Sequence, residues 1–356
     1  MYLVLPAGGR TRGGISSVTK FCAERRGEKV NKMKQREARL GWLMVTPALL
    51  AIAAVALYPI VHTFWLSLHT VKLTEPGLGR PFVGLQNYIN LLTDNRTLNA
   101  LWNTIIFTVS SVSLEFVFGL AIALLIHRNF FGRGIVRAAV LVPWAIPTVV
   151  SAMMWKFMYN DQYGVINDIL KKLGIISEYK AWLGDASWAL ISLIVTDVWK
   201  TIPFMALLLL AGLQLIPEEL YESAKVDGAG AWKRFWHITL PMLKPTILVA
   251  LLFRTLDAFR VFDIVMVMTG GGPGNSTEVI STYAYKVLMR YLDFGNGSAL
   301  AVIVFVCVFL ICLFFITVLG VQLVDDEEGG RNFWSKRRFA QSAKTFSSTE
   351  QSHSSF

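Results

Sequence analysis

Four ionisable residues, Arg254, Asp257, Arg260 and Asp263, recur at three-residue spacing within an apolar stretch of this 356-residue chain. Helix residues three apart share a side and can pair, but a row at that spacing drifts around a helix of 3.6 residues per turn. A charge at the centre of a membrane helix costs at least about 2.5–3.5 kcal/mol, so it faces protein or water. Two uses of these charges compete. Arg254 and Asp257, expected near mid-depth, can make several directed hydrogen bonds to a hydroxyl-rich solute. Trp155, Trp199, Phe204 and Phe259 are candidate surfaces for the apolar faces of such a solute, with ordinary packing as the plainer alternative. In the second use the charges are ion pairs that hold two subunits together. Asp197 and Lys200, three apart, are expected to pair with each other, and Glu115 and Lys156 to face inward or lie near an interface.

Other chemistry is missing from the sequence. GGGPGNST at 270–277 is glycine-rich but lacks the Lys-Ser/Thr of a phosphate-binding loop. It is expected to be a flexible outer turn. No nucleophile-elbow, zinc-protease or paired-carboxylate signature occurs outside the apolar stretches. His62, His69, His127, His237 and His353 are scattered, and Cys22, Cys307 and Cys312 lack zinc-site spacing. No catalytic residue, metal or cofactor is therefore expected on this chain.

The composition names the elements that carry these residues. The chain is 54% hydrophobic and only 16% charged, with a mean hydropathy of +0.50. Soluble domains hold about 25% charged residues, so a soluble enzyme is excluded and a polytopic membrane protein is the default. The net charge of +10 has no basic stripe with interleaved aromatics, so nucleic acid is not a partner. An all-α membrane protein with six transmembrane helices is expected, with spans near 40–68, 101–127, 135–159, 188–213, 242–269 and 298–324. Basic residues before the first span, between the second and third (Arg128, Arg133, Arg137), between the fourth and fifth (Lys225, Lys233, Arg234, Lys244) and in the last segment fall on one side. The positive-inside rule makes that side, and both termini, cytoplasmic. Residues 1–33 read as a basic, disordered extension, with Met33 a candidate start, and 325–356 as a disordered cytoplasmic tail. The domain between them is 34–324.

The fourth and fifth spans are joined by LQLIPEELYESAKVDGAGAWKRFWHITLPMLKP. It reads as two short helices around a glycine turn. Glu218 and Glu219 sit in a first turn that favours negative charge, and Gly228 and Gly230 provide a helix stop. Trp232, Phe235, Trp236 and Thr239 share one face of the second helix. Taken alone, such a loop is an amphipathic connector at the lipid surface or a docking helix for a partner cleft.

The residue order favours docking. Glu222-Ser223-Ala224, three residues, Gly228, nine residues, then Ile238-Thr239-Leu240-Pro241 resembles the EAA loop of ABC importer permeases. Ser223 departs from the usual alanine. The likeness spans roughly 34–324: VPWAIPTVVSAMMWKFMYN, YGVINDILKKLGI with WLGD, DVWKTIPFMALLLLAGLQLIPEELYESAKVDGA and FRVFDIVMVMTGGGPGNST resemble the carbohydrate branch, of maltose/trehalose/glycerol-3-phosphate type.

The resemblance implies a type I ABC importer permease fold in the cell inner membrane, translocating a di- or oligosaccharide, a glycosylated polyol or a similar carbohydrate. It implies a second homologous permease, two ATP-binding cassette subunits that hold ATP and Mg, and an extracytoplasmic solute-binding protein. The coupling loop, 213–241, would contact an ATPase through Glu222, Ser223, Ala224, Asp227, Gly228, Ile238, Leu240 and Pro241. Rival expectations are an ABC permease for amino acids or another non-sugar solute, an ion-coupled secondary transporter, and a receptor-like or scaffolding membrane subunit.

Overall fold

The computed structural model describes residues 37–317, apart from the side chain of Leu78. The extension 1–33, Cys22, the last residues of the sixth expected span and the tail 325–356 lie outside the described residues. The chain divides into two units, one ending at Trp65 and one starting at Leu66.

Helix is the only regular structure among the described residues apart from two isolated bridges, His69 with Phe82 and Lys72 with Asp293. Four helices are long and apolar enough to cross a bilayer: α1 (Glu37–Ser67), α3 (Asn95–His127), α7 (Ala186–Gln214) and α13 (Phe294–Thr317). Short α2 (Gln86–Thr93) leads into α3. In the first unit, the α1 residues Trp42, Leu43 and Val55 present large apolar side chains outward, as expected of a helix solvated by lipid.

The third expected span is two helices, α4 (Arg133–Ala145) and α5 (Thr148–Met158), which meet at 89° and count as a fifth span if taken together. The elbow is at Ile146-Pro147, where Ile146 is extended with φ −73° and ψ 133°. Proline crowds the residue before it out of the helical region. Beyond the elbow come α6 (Val165–Lys172) and then α7.

The fifth expected span, 242–269, is also not one helix. After α8 (Glu218–Val226) and α9 (Ala231–Arg234), a π-turn at Phe235–Thr239 leads into α10 (Leu240–Phe259). The chain breaks at 260–262 and resumes as α11 (Asp263–Met268). No proline or glycine marks this break. Every 18-residue window of α10 contains three charged residues, Lys244, Arg254 and Asp257. Arg260 and Asp263 therefore do not continue the Arg254–Asp257 row on the same helix. Helix α12 (Ile280–Tyr285) precedes α13.

The most extensive pairing is α3 against α7. One apolar core gathers Phe107, Leu193, Val198, Ile264 and Val265, and another Ala123, Met205, Leu209, Leu213 and Leu243. Small residues allow the close approach. A Cβ on Gly119 would lie 2.6 Å from Met205 Cγ and 2.9 Å from its Cβ, and one on Gly212 would lie 2.5 Å from Thr246 Oγ1.

The glycine-rich turn after α11 is not the loose linker its composition suggests. Asn99 Nδ2 donates to the Asn275 carbonyl at 3.0 Å and Asn103 Nδ2 to that of Glu278 at 3.1 Å. Fully buried Glu278 accepts from Arg96 Nε at 2.7 Å and from Lys286 Nζ at 2.5 Å. Burial pushes the Glu278 carboxyl up, but the hydrogen bonds from Arg96 and Lys286 outweigh it and hold its pKa below the ordinary 4.5.

Replacing Gly119 by valine is expected to force α3 off α7 and destabilise the protein by about 1–3 kcal/mol. A lowered thermal unfolding midpoint in detergent checks this, and an unchanged midpoint contradicts the close approach.

Candidate functional site

The α3–α7 pair carries Glu115 and Asp197 at mid-helix, between the two apolar cores, and α10 brings Arg254 against both. The Arg254 guanidinium donates through Nε to Glu115 Oε2 and through Nη2 to Asp197 Oδ2. It also reaches Glu115 Oε1 at 2.9 Å and, through Nη1, Asp257 Oδ2 at 2.7 Å. Thr201 Oγ1 lies 2.6 Å from both Glu115 Oε1 and the Asp197 carbonyl oxygen. Arg254 and Glu115 are buried, whereas the Asp257 side chain is 72% exposed.

This corrects one expectation. Asp197 pairs with Arg254 and not with Lys200, which makes no ion pair within 4 Å among the described residues. The reason is geometric: Arg254 offers a planar fork to a buried carboxylate, while Lys200, itself buried, is part of the cavity lining. Arg254 makes its ion pairs within this chain, with Glu115, Asp197 and Asp257. Glu115 was legible only as a charge within a span; its partner lies 139 residues away.

The cavity measures about 270 Å³ and is lined by Trp144, Thr148, Asp197, Lys200, Asp257 and Phe262, among others. Phe204 stacks on Trp144 at 6.0 Å and so stands behind its wall. Trp155 and Trp199 meet edge to face at 5.5 Å, with Trp155 packed on the apolar core, and neither lines the cavity. Phe259 is buried among Leu91, Ile280 and Leu300, away from it. Of the sequence candidates, Arg254 and Asp257 reach the cavity, whereas Trp144, Lys200 and Thr201 join it without having been singled out for it. Lys156 donates to the Val267 carbonyl at 3.0 Å.

The loop at 213–241 forms the two expected short helices. Pro217 stands one position before the helix rather than within it. Gly228 has φ +74°. Its N–H bonds the Lys225 carbonyl at 3.0 Å, and the Ala229 N–H bonds that of Ala224 at 2.8 Å. These two bonds make a Schellman stop, which glycine at the left-handed position allows. Ser223 Oγ donates back to the Glu219 carbonyl at 2.8 Å, so the hydroxyl is absorbed by its own helix. Glu222, Ser223, Asp227, Gly228 and Pro241 are exposed, Ala224 is half-buried, and Ile238 and Leu240 pack on the apolar core. Tyr221 and Thr239 hydroxyls, 3.0 Å apart, fasten α8 to the base of α10. On α9 and the π-turn, Trp232, Phe235 and Trp236 stack on one another, with Trp232 74% exposed.

Glu115→Ala leaves the buried guanidinium without its two-pronged partner. A loss of about 3–5 kcal/mol is expected, read as a lowered unfolding midpoint, and Lys200→Met should lose clearly less. Equal losses would contradict the assigned pairing.

Residues 115–324 match the family described as binding-protein-dependent transport system inner membrane component. The chain is 46% identical over 288 residues to the trehalose/maltose transport system permease protein MalF of Thermococcus litoralis, covering 81% of this chain and 96% of that one. It is 43% identical over 298 residues to the trehalose transport system permease protein SugA of Mycobacterium tuberculosis, covering 84% and 94%. It is 41% identical over 266 residues to the sulfoquinovosyl glycerol transport system permease protein SmoG of Agrobacterium fabrum, covering 75% and 85%. Among solved structures, a chain of a bacterial ABC transporter involved in the import of the acidic polysaccharide alginate superposes with a TM-score of 0.69. That likeness is at 25% identity and covers 82% of this chain and 98% of that chain.

Proposed function

This chain belongs to the family of binding-protein-dependent transport system inner membrane components, and we propose that it translocates a di- or oligosaccharide or a glycosylated polyol. The observation that carries the mechanism is one continuous helix. α10 runs from Leu240, beside the Tyr221–Thr239 fastening, to Phe259, past Arg254 and Asp257 at the cavity. Movement of α8 at one end is therefore delivered to the cavity at the other.

In this reading ATP is hydrolysed by two separate cassette subunits, which also hold Mg, and this chain has no catalytic residue, nucleotide or metal. The exposed residues Glu222, Ser223, Asp227 and Gly228 meet a cassette subunit. Ala224, Ile238 and Leu240 seat the loop on the bundle, and exposed Pro241 is left for the cassette subunit. A homologous permease supplies the opposite wall of the path, and an extracytoplasmic binding protein delivers the solute. The chain spans the membrane six times with both termini cytoplasmic, counting α4–α5 and α10–α11 as one broken span each. The permease domain is 34–324, with 1–33 and 325–356 as appendages. The names of the trehalose/maltose and trehalose relatives support a carbohydrate over an amino acid. The cavity supports it chemically: exposed Asp257 can accept from hydroxyl groups, and Trp144 in the lining offers a ring for a sugar face. ATP binding shifts the bundle between inward- and outward-facing states only through contacts that differ between them.

Two variants test the two ends of the helix. Gly228→Pro is incompatible with φ +74°; it should abolish solute-stimulated ATP hydrolysis in the reconstituted complex while membrane insertion continues. Normal transport by that variant would refute the lever. Asp257→Ala should reduce ATP-dependent uptake of labelled trehalose or maltose into liposomes by about tenfold or more, the loss of one charged hydrogen bond, with assembly intact. Uptake that persists without ATP but follows an ion gradient would refute the importer.

A further inference from the structure

A second cavity, of about 970 Å³, opens at the end of the bundle that carries α8 and the α3–α4 link. Arg128, Arg133 and Arg137 line it from the link and α4, Lys225 from α8 and Arg234 from α9. The only carboxylates in its wall are Glu218 and Glu219. Among the described residues none of the five cations has a carboxylate within 4 Å.

Neutral acceptors hold two of the arginines in place without neutralising them. Arg133 Nη1 donates to Asn129 Oδ1 at 2.5 Å, and Arg137 Nη2 to the Ile126 carbonyl at 3.1 Å. Arg137 Nε is buried with no partner. A guanidinium has five N–H donors in a fixed fork that suits a phosphate. The base of the cavity is apolar, with Leu124 and Leu213 from the spanning helices. Beside the arginines in sequence, Phe131 is fully exposed and Ile135 is 78% exposed. Unneutralised arginines interleaved with outward apolar side chains suit the boundary where lipid headgroups meet acyl chains.

We propose that this cavity holds the phosphate headgroup of an anionic membrane phospholipid, with the acyl chains along Phe131 and Ile135. The proposal rests on the reading that this end of the bundle lies at the cytoplasmic face. A soluble phosphate shares the headgroup chemistry but makes no use of the exposed apolar rim. The bound lipid sits between the α3–α4 link and α8, and so adjoins the coupling lever.

The test uses the full transporter complex in nanodiscs of phosphatidylcholine alone or of phosphatidylcholine and phosphatidylglycerol in equal parts. Native mass spectrometry counts the phospholipids retained, and thermal unfolding reports their effect. Phosphatidylglycerol should be retained selectively and raise the midpoint. Arg133→Gln and Arg137→Gln should each lower retention about fivefold, and the lysine variants Arg133→Lys and Arg137→Lys should keep most of it. If the glutamine variants fail to fold, Lys225→Gln together with the lysine variants gives the same reading. Undiminished retention in folded glutamine variants would overturn the proposal. So would equal protection by inorganic phosphate in phosphatidylcholine discs. Release of the ATP-binding subunits from the variants in both lipids alike would also overturn it, since the arginines would then face protein carboxylates. Retention is read without ATP or solute, so a negative result leaves the importer reading standing.

Discussion

A guanidinium in the middle of a bilayer must be matched by carboxylates, and in this protein three helices converge to do it. Arg254 on α10 is held by Glu115 on α3 and Asp197 on α7, with apolar core on either side. Sliding any one of the helices by a turn moves its charge by about 5.4 Å, which strands the others in a medium that cannot solvate them. The close glycine contacts at Gly119 and Gly212 bring the backbones near enough for these short side chains to meet. The charge match and the small-residue packing therefore specify the same alignment.

That match also decides what the cavity displays. With Arg254 bonded to Glu115 and Asp197, the cavity wall carries the exposed carboxylate of Asp257, with Trp144 and buried Lys200 also in its lining. The buried arginine thus both lines the cavity and ties three helices together beside it. The same principle operates away from the spanning helices, where Arg96 and Lys286 neutralise Glu278 and fix the glycine-rich turn.

Local signals in the sequence were read well, and long-range ones poorly. The loop at 213–241 was legible because its helix starts, glycine stop and aromatic face lie within about thirty residues and follow backbone preferences. Both span breaks escaped a reading based on hydropathy, which counts apolar residues and does not see direction. The elbow at Ile146-Pro147 had a signal in its proline; the break after Phe259 had none in its residue types. The Asp197–Lys200 expectation failed because spacing along one helix says nothing about a competitor on another. Phe259, chosen for its ring, is a core residue because α10 turns it toward α12 and α13.

The elbow has a chemical effect of its own. Where α4 stops and α5 starts again at Thr148, the first amides of the new helix have no carbonyl one turn behind them, and Thr148 stands in the wall of the cavity. Main-chain dipoles thus contribute to the polarity of that wall alongside Asp257 and Lys200. Main-chain groups survive every amino-acid exchange, so substitutions at the wall change its side chains while this share of its polarity persists.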